Sequence, residues 1–233
     1  YKLALVVASA GYGKTALVSE WIAQTSMRVI WFSIDAGDND PVRFWDYVIA
    51  AIQTVYPSIG EKTLTLLHEP QPLPVETILS TLINELSALP DLLTLVLDDY
   101  HVIDSASIHE GLAFLVEHMP SQIGLIMTTR ADPPLPLARM RVRSQLLELR
   151  SADLRFSPPQ IAAFFTDVMG LTLTTQEITA LDTRVEGCWK KPLTYSAKDS
   201  LLCMSHQNMP PACSQQWESA DYPLQRPALL EGI

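Results

Sequence analysis

Ala8-Ser9-Ala10-Gly11-Tyr12-Gly13-Lys14-Thr15 follows the apolar run Leu3-Ala4-Leu5-Val6-Val7 and precedes a stretch in which Leu17, Val18, Trp21 and Ile22 share one helical face. Strand, glycine-bearing loop, helix is the context in which a chain wraps a phosphate group. Gly11 and Gly13 permit torsions and close backbone approach that a Cβ would block, so successive N–H groups can surround anionic oxygens at a helix N-terminus. In this pattern the backbone of Ala10, Gly11, Tyr12 and Gly13 lines the loop. Lys14 neutralises β/γ-phosphate charge, and the Thr15 hydroxyl faces Mg²⁺. Ala8 stands where the general pattern has its first glycine, while the Gly-x-Gly-Lys-Thr core is intact. An ordinary strand-to-helix turn with a solvated lysine is the competing reading, and the flanking strand and helix weigh against it.

Working outward, four more runs rich in Val, Ile, Leu and Trp follow the first: Val29 to Ile34, Leu92 to Leu97, Ile123 to Thr128 and Leu146 to Leu149. Their near-continuous apolarity fits strands covered on both faces. Between them, Trp45, Val48, Ile49, Ile52 and Val55 form one helical stripe, and Val75, Ile78, Leu79, Leu82, Ile83 and Leu86 another. Asp40-Pro41 supplies an N-cap with proline at N1, and Ser157-Pro158-Pro159-Gln160 reads as a capping box. Strand alternating with helix predicts an α/β fold, a parallel sheet flanked by helices. After the fifth strand only helical stripes follow, Ile161, Phe164, Phe165, Val168 and then Ile178, Leu181, Val185 behind Thr174-Thr175-Gln176-Glu177. The expected organisation is a P-loop nucleotide-binding domain over 1–150, the start of a helical domain over 151–187, and a divergent tail over 188–233. In that tail Pro192, Pro210, Pro211, Pro223 and Pro227 punctuate a polar stretch that holds all three cysteines. A frameshifted or truncated reading, or a natural linker, would each produce so abrupt a change.

Composition narrows the function. With 48% hydrophobic and 18% charged residues among 233, the chain has a globular mix. Sixteen Lys+Arg against 26 Asp+Glu leave a net charge of -10, which would repel a phosphodiester backbone. No apolar run reaches the roughly 18 residues of a membrane helix, and the opening run is too short for a secretory signal. A cytoplasmic location is expected. The absent initiator Met and the start inside a strand-like run suggest a piece of something longer. Cys188, Cys203 and Cys213 form no closely spaced metal-ligand pair, which disfavours zinc and disulfide scaffolds.

A second chemical signal is Leu93-Thr94-Leu95-Val96-Leu97-Asp98-Asp99-Tyr100-His101, a buried strand ending in two carboxylates. The carboxyl end of a strand is where an α/β sheet presents its ligand crevice. Asp98 is placed to serve the Mg²⁺ shell and Asp99 to polarise an attacking water; alone, the pair would read better as a cap after the strand. His101 is a polar neighbour of Asp99. Ile123-Gly124-Leu125-Ile126-Met127-Thr128-Thr129-Arg130 ends in a guanidinium whose planar fork suits phosphate oxygens, making Arg130 a candidate γ-phosphate sensor. A strand-end arginine paired with a surface acid is the alternative. Asp35 and Asp38 are explained by capping and turn formation. The basic stretch Arg139, Arg141, Arg143, Arg150, Arg155 reads as a solvated or ion-paired face.

Taken in order, Ala10-Gly11-Tyr12-Gly13-Lys14-Thr15, Trp31-Phe32-Ser33-Ile34-Asp35, Asp38-Asn39-Asp40-Pro41-Val42-Arg43-Phe44, Leu97-Asp98-Asp99-Tyr100-His101, Thr128-Thr129-Arg130 and Asp153-Leu154-Arg155-Phe156-Ser157 resemble the ATPase domain of MalT-like large LuxR-type transcriptional regulators. These belong to the signal-transduction ATPases with numerous domains. The resemblance covers roughly residues 1–187. It implies ATP/ADP and Mg²⁺ as ligands, with Lys14 and Thr15 on phosphate and metal, Asp98 and Asp99 as the acidic pair, and Arg130 as the sensor. It further implies a slowly hydrolysing switch in which ADP holds a resting monomer and ATP with an inducer promotes self-association. DNA contact would be made through a C-terminal domain that this chain lacks. Cys188-Trp189-Lys190-Lys191-Pro192 departs from the family's Gly-Trp segment. Two other classes stay open: a non-hydrolysing, nucleotide-dependent interaction scaffold, and a metabolic P-loop kinase or transferase.

Overall fold

The computed structural model describes residues 1–167, 170–185, 195–196 and 202–203. Five strands, β1 (Leu3–Val7), β2 (Arg28–Ser33), β3 (Leu93–Asp98), β4 (Ile123–Thr129) and β5 (Leu146–Arg150), form a parallel sheet in the order β2-β3-β4-β1-β5. The apolar runs read from the sequence are these strands, displaced by about one residue at some ends, as expected where fraying and pairing rather than composition set the boundary.

Side chains alternate across the sheet, as a pleated strand requires. Leu3, Leu5 and Val7 of β1, Leu93, Leu95 and Leu97 of β3, and Leu125 and Met127 of β4 join one core cluster. That cluster includes Phe44, Trp45, Val48, Ile49 and Ile52 of α2 (Pro41–Gln53), Leu79, Leu82, Ile83 and Leu86 of α4 (Val75–Ser87), and Ile108, Leu112, Leu115 and Val116 of α5 (Ala106–His118). The even-numbered residues Ala4, Val6, Thr94, Val96, Asp98, Ile126 and Thr128 are buried on the opposite face. There α1 (Lys14–Gln24) meets the sheet through Thr15 and buries Leu17, Val18 and Trp21.

Local chemistry starts and stops these helices. Asp40 accepts from the Arg43 N–H at 2.9 Å with Pro41 at N1, as the sequence predicted for α2. Val55, the last residue of the predicted stripe, lies beyond the end of α2 but still packs on the core, because its N–H continues the turn to Ile52 at 3.1 Å. The short α3 (Glu61–Leu67) begins at Gly60, whose φ is 86°. An alanine Cβ there would stand 2.4 Å from Ile49 Cγ2. Gly111, inside α5, is required by proximity: a Cβ would come within 2.9 Å of Trp45 Cζ2. One further helix of this unit, α6 (Leu137–Val142), precedes β5 and buries Leu137 and Met140.

The chain divides into two compact units, one of Tyr1–Val7 with Thr15–Leu149, the other of Ala8–Lys14 with the helices after Arg150. In the second, α7 (Pro158–Asp167) opens with the Ser157 N–H and hydroxyl both donating to Gln160 Oε1 at 2.9 Å. It buries Ile161 and Phe165. Thr174 and Glu177 form the reciprocal box that begins α8 (Thr175–Val185). Two-residue strands β6 (Tyr195–Ser196) and β7 (Leu202–Cys203) pair antiparallel. The departure at Cys188 to Pro192 and most of the predicted tail lie outside the described residues. Among the described residues no helix is long and apolar enough to cross a membrane.

Candidate functional site

The sheet register carries every sequence-predicted acid and the candidate sensor to the carboxyl ends of the strands. Val7 pairs with Thr129 across β1 and β4, Leu97 with Met127 across β3 and β4, and Ser33 with Asp98 across β2 and β3. β4 lies between β1 and β3, so the strand ending in Thr128-Thr129-Arg130 adjoins both the strand that feeds the glycine loop and the strand that ends in the acids.

The loop itself has the torsions its glycines were expected to supply. Gly11 has φ 88° and Gly13 φ 74°. A Cβ at Gly13 would meet nothing within 4 Å, so torsion rather than space makes this position a glycine. Lys14 is only 6% exposed, and its ammonium donates to the carbonyls of Ala8 at 3.0 Å and Ser9 at 3.3 Å. A cation is therefore held over the loop backbone instead of extending into water.

Around the acids, two hydroxyls and one amide converge. Thr15 Oγ1 lies 3.2 Å from both carboxylate oxygens of Asp98 and donates to them. Thr128, fully buried on β4, donates its hydroxyl to Asp98 Oδ1 and accepts the Asp99 N–H at 3.0 Å. One hydroxyl thus fixes the carboxylate of the first acid and the backbone of the second. Asp99 adopts φ 61° and ψ 37°, a left-handed conformation uncommon for a residue with a Cβ. Its half-exposed carboxylate stands 3.4 Å from His101 Nδ1, as the sequence reading of His101 as a polar neighbour anticipated. Arg130 is exposed directly after β4.

The donor set suits Mg²⁺. Thr15 and Asp98 offer hard oxygen ligands, and two cis ligands of an octahedral ion at 2.0–2.1 Å stand about 2.9 Å apart. The observed 3.2 Å is close to that. Among the described residues there is no group of three or more His, Cys, Asp and Glu that could hold a metal ion.

Thr128 is the residue the sequence reading passed over. Its place in Thr-Thr-Arg was visible, but its contact with Asp98 depends on strand register and has no local signal. Asp35 and Asp38 behave as capping residues: the Gly37 N–H donates to Asp35 Oδ1 at 2.7 Å and the Asp35 N–H to Asp38 Oδ2 at 2.9 Å, around a 3-10 turn at Ala36–Asn39.

No family model matches the chain. Among curated proteins it is 38% identical over 200 residues to the HTH-type transcriptional regulator MalT of Yersinia enterocolitica, covering 86% of this chain and 22% of that protein. It is 40% identical over 165 residues to MalT of Cronobacter sakazakii, covering 71% and 18%. Solved structures that resemble it in part include the Aeropyrum pernix ORC1 protein in complex with DNA (TM-score 0.41, 18% identity, 79% of this chain and 44% of that one). AMPPCP-bound DnaA from Aquifex aeolicus is another (TM-score 0.38, 16% identity, 77% and 49%). The chain spans about a fifth of the length of the curated relatives it matches. By this extent of identity the chain is MalT-like over most of its length, and it matches one segment of those regulators.

Proposed function

We propose that this domain binds ATP and ADP with Mg²⁺ and hydrolyses ATP slowly, as the nucleotide-dependent switch of a transcription regulator. The observation that carries the reading is the bond from Thr15, the residue directly after Lys14, to Asp98. It links the first turn of α1 to the acid-bearing strand across 83 residues of sequence.

In this reading the amides of Ala10 to Thr15 and the Lys14 ammonium receive phosphate oxygens, exchanging the loop carbonyls of Ala8 and Ser9 for a stronger anionic acceptor. Thr15 and Asp98 hold Mg²⁺, which when bound supplies charge neutralisation at the phosphoryl oxygens. Asp99 accepts a proton from the attacking water at its carboxylate, with His101 beside it. Arg130 neutralises charge that develops on the transferring group. Self-association in the ATP state, and DNA contact through a part of the regulator beyond this domain, complete the proposed switch. The proposed boundaries place the nucleotide domain at 1–150 and the start of a helical domain at 151–187.

Hydrolysis is tested by steady-state phosphate release. Lys14→Ala is expected to abolish release and binding together, whereas Asp99→Asn is expected to lose release while retaining binding. Release that is unchanged in Lys14→Ala would show it to come from a contaminant. Binding with no Asp99-dependent release would favour a scaffold that needs nucleotide without turning it over. A phosphorylated small-molecule product would favour a kinase.

A further inference from the structure

Asn39 sits at the end of the 3-10 turn after β2, 60 residues from Asp99, yet its carboxamide engages the segment that follows the acids. Its Nδ2 donates to the Val102 carbonyl at 2.8 Å and to the Ala36 carbonyl at 3.2 Å. Its Oδ1 accepts the Asp104 N–H at 2.7 Å and the Ser105 N–H at 3.3 Å. A primary amide has two donor hydrogens and two acceptor lone pairs, so all four are used, and three of the four bonds go to residues 102–105.

Asp99 lies between this clamp and another. On its amino side its N–H is held by Thr128. On its carboxyl side its carbonyl accepts the Val102 N–H at 3.3 Å, closing the turn whose far end Asn39 holds. A non-glycine residue in the left-handed region persists where its surroundings over-determine it. Asp98, by contrast, is a residue of β3, with its carboxylate held by Thr15 and Thr128.

From this we infer that Asn39 is a positioning residue for Asp99: by joining the loop after β2 to the loop after β3, it keeps Asp99 in the conformation that presents its carboxylate to the attacking water. The inference rests on the hydrolytic role proposed for Asp99. The structural part of it, the hold on the Asp99 backbone, has its own readout.

Two measurements on Asn39→Ala separate the cases. Amide exchange followed by NMR should speed up at Asp99, Asp104 and Ser105 while Val96 and Leu97, in the middle of β3, keep their protection. The rate constant kcat for Mg–ATP hydrolysis should fall about 10- to 100-fold, the scale on which a displaced catalytic group acts, with the nucleotide Kd within about twofold of wild type. Asn39→Asp keeps the acceptor for Asp104 and Ser105 but loses both donors, and should fall between the two. If exchange at Asp99 is unchanged in folded Asn39→Ala, the inference is overturned, as it is if kcat is unchanged or if kcat and affinity fall together with protection throughout the sheet. If exchange at Asp99 speeds up but the wild-type protein shows no Lys14-dependent hydrolysis, the hold on Asp99 stands and the hydrolytic reading fails instead.

Discussion

Replacing Thr128 with Val keeps the shape and β-branching of a fully buried strand residue and removes one oxygen. That oxygen donates to Asp98 and accepts the Asp99 N–H. A hydrogen bond to a charged group contributes about 1.5–3 kcal/mol, and a buried amide left without a partner costs about 1–3 kcal/mol. Both losses pass through a single hydroxyl, and Thr15 remains as a donor to Asp98, so the expected destabilisation is about 2–4 kcal/mol rather than the full sum. Thr128→Ser is the control. It keeps the hydroxyl and loses a methyl group, at about 1 kcal/mol. Urea unfolding followed by the fluorescence of buried Trp21 and Trp45 should therefore rank the proteins as wild type, then Ser, then Val. If the site were held by apolar packing, Val would equal or exceed wild type and Ser would be the worst of the three. A Val variant within about 0.5 kcal/mol of wild type, the range of an unremarkable surface change, would refute the hydroxyl's proposed part.

Three further outcomes follow from particular residues. Gly60→Ala should lower the urea midpoint by the equivalent of about 2–3 kcal/mol, since φ is 86° and the new Cβ would meet Ile49; an unchanged midpoint would mean that α3 can shift freely. Asp40→Ala should lower stability by about 1 kcal/mol through loss of the α2 cap, read in the same assay, with Asp40→Ser recovering most of it. The third concerns pH. Burial holds the His109 imidazole below its ordinary value, while Asp104 partly opposes this, and the Tyr100 hydroxyl meets His109 Nδ1. The folded state therefore disfavours the protonated ring, so stability is present above the unfolded value of about 6.5 and declines as pH falls below it. His109→Asn should flatten that decline between neutral and mildly acidic pH; an unchanged slope would assign it to other groups.

The strands and the glycine loop were legible because their signals are local: near-continuous Leu, Val and Ile for strands covered on both faces, and Gly-x-Gly-Lys-Thr at a strand-to-helix junction. The α2 cap at Asp40-Pro41 and the capping character of Asp35 and Asp38 were legible for the same reason. What stayed hidden depends on tertiary proximity. α5 carries a glycine at 111 because Trp45 crowds that position, and a glycine within a helix reads as an interruption until the neighbour is known. α3 starts at a left-handed Gly60, which reads equally well as a turn. The strand order, with β4 between β1 and β3, is set by crossover connections and decides that Thr128 reaches Asp98. Asn39 stood within a recognisable motif, yet its partners at 102, 104 and 105 are more than 60 residues away, where no spacing rule applies.

The loop from Ala10 to Thr15 is proposed to take nucleotide phosphates together with Mg²⁺. Thermal unfolding with ATP, ADP and GTP, each with and without Mg²⁺, tests it directly. At a ligand concentration of 100 times Kd, binding to the native state adds about 2.7 kcal/mol, or about 5–11 °C for a chain of this size. Such a rise is expected in the wild type with Mg–ATP or Mg–ADP, together with its loss in Lys14→Ala and loss of its Mg²⁺-dependent part in Asp98→Asn. No rise with any nucleotide, or an equal rise in Lys14→Ala, would contradict it.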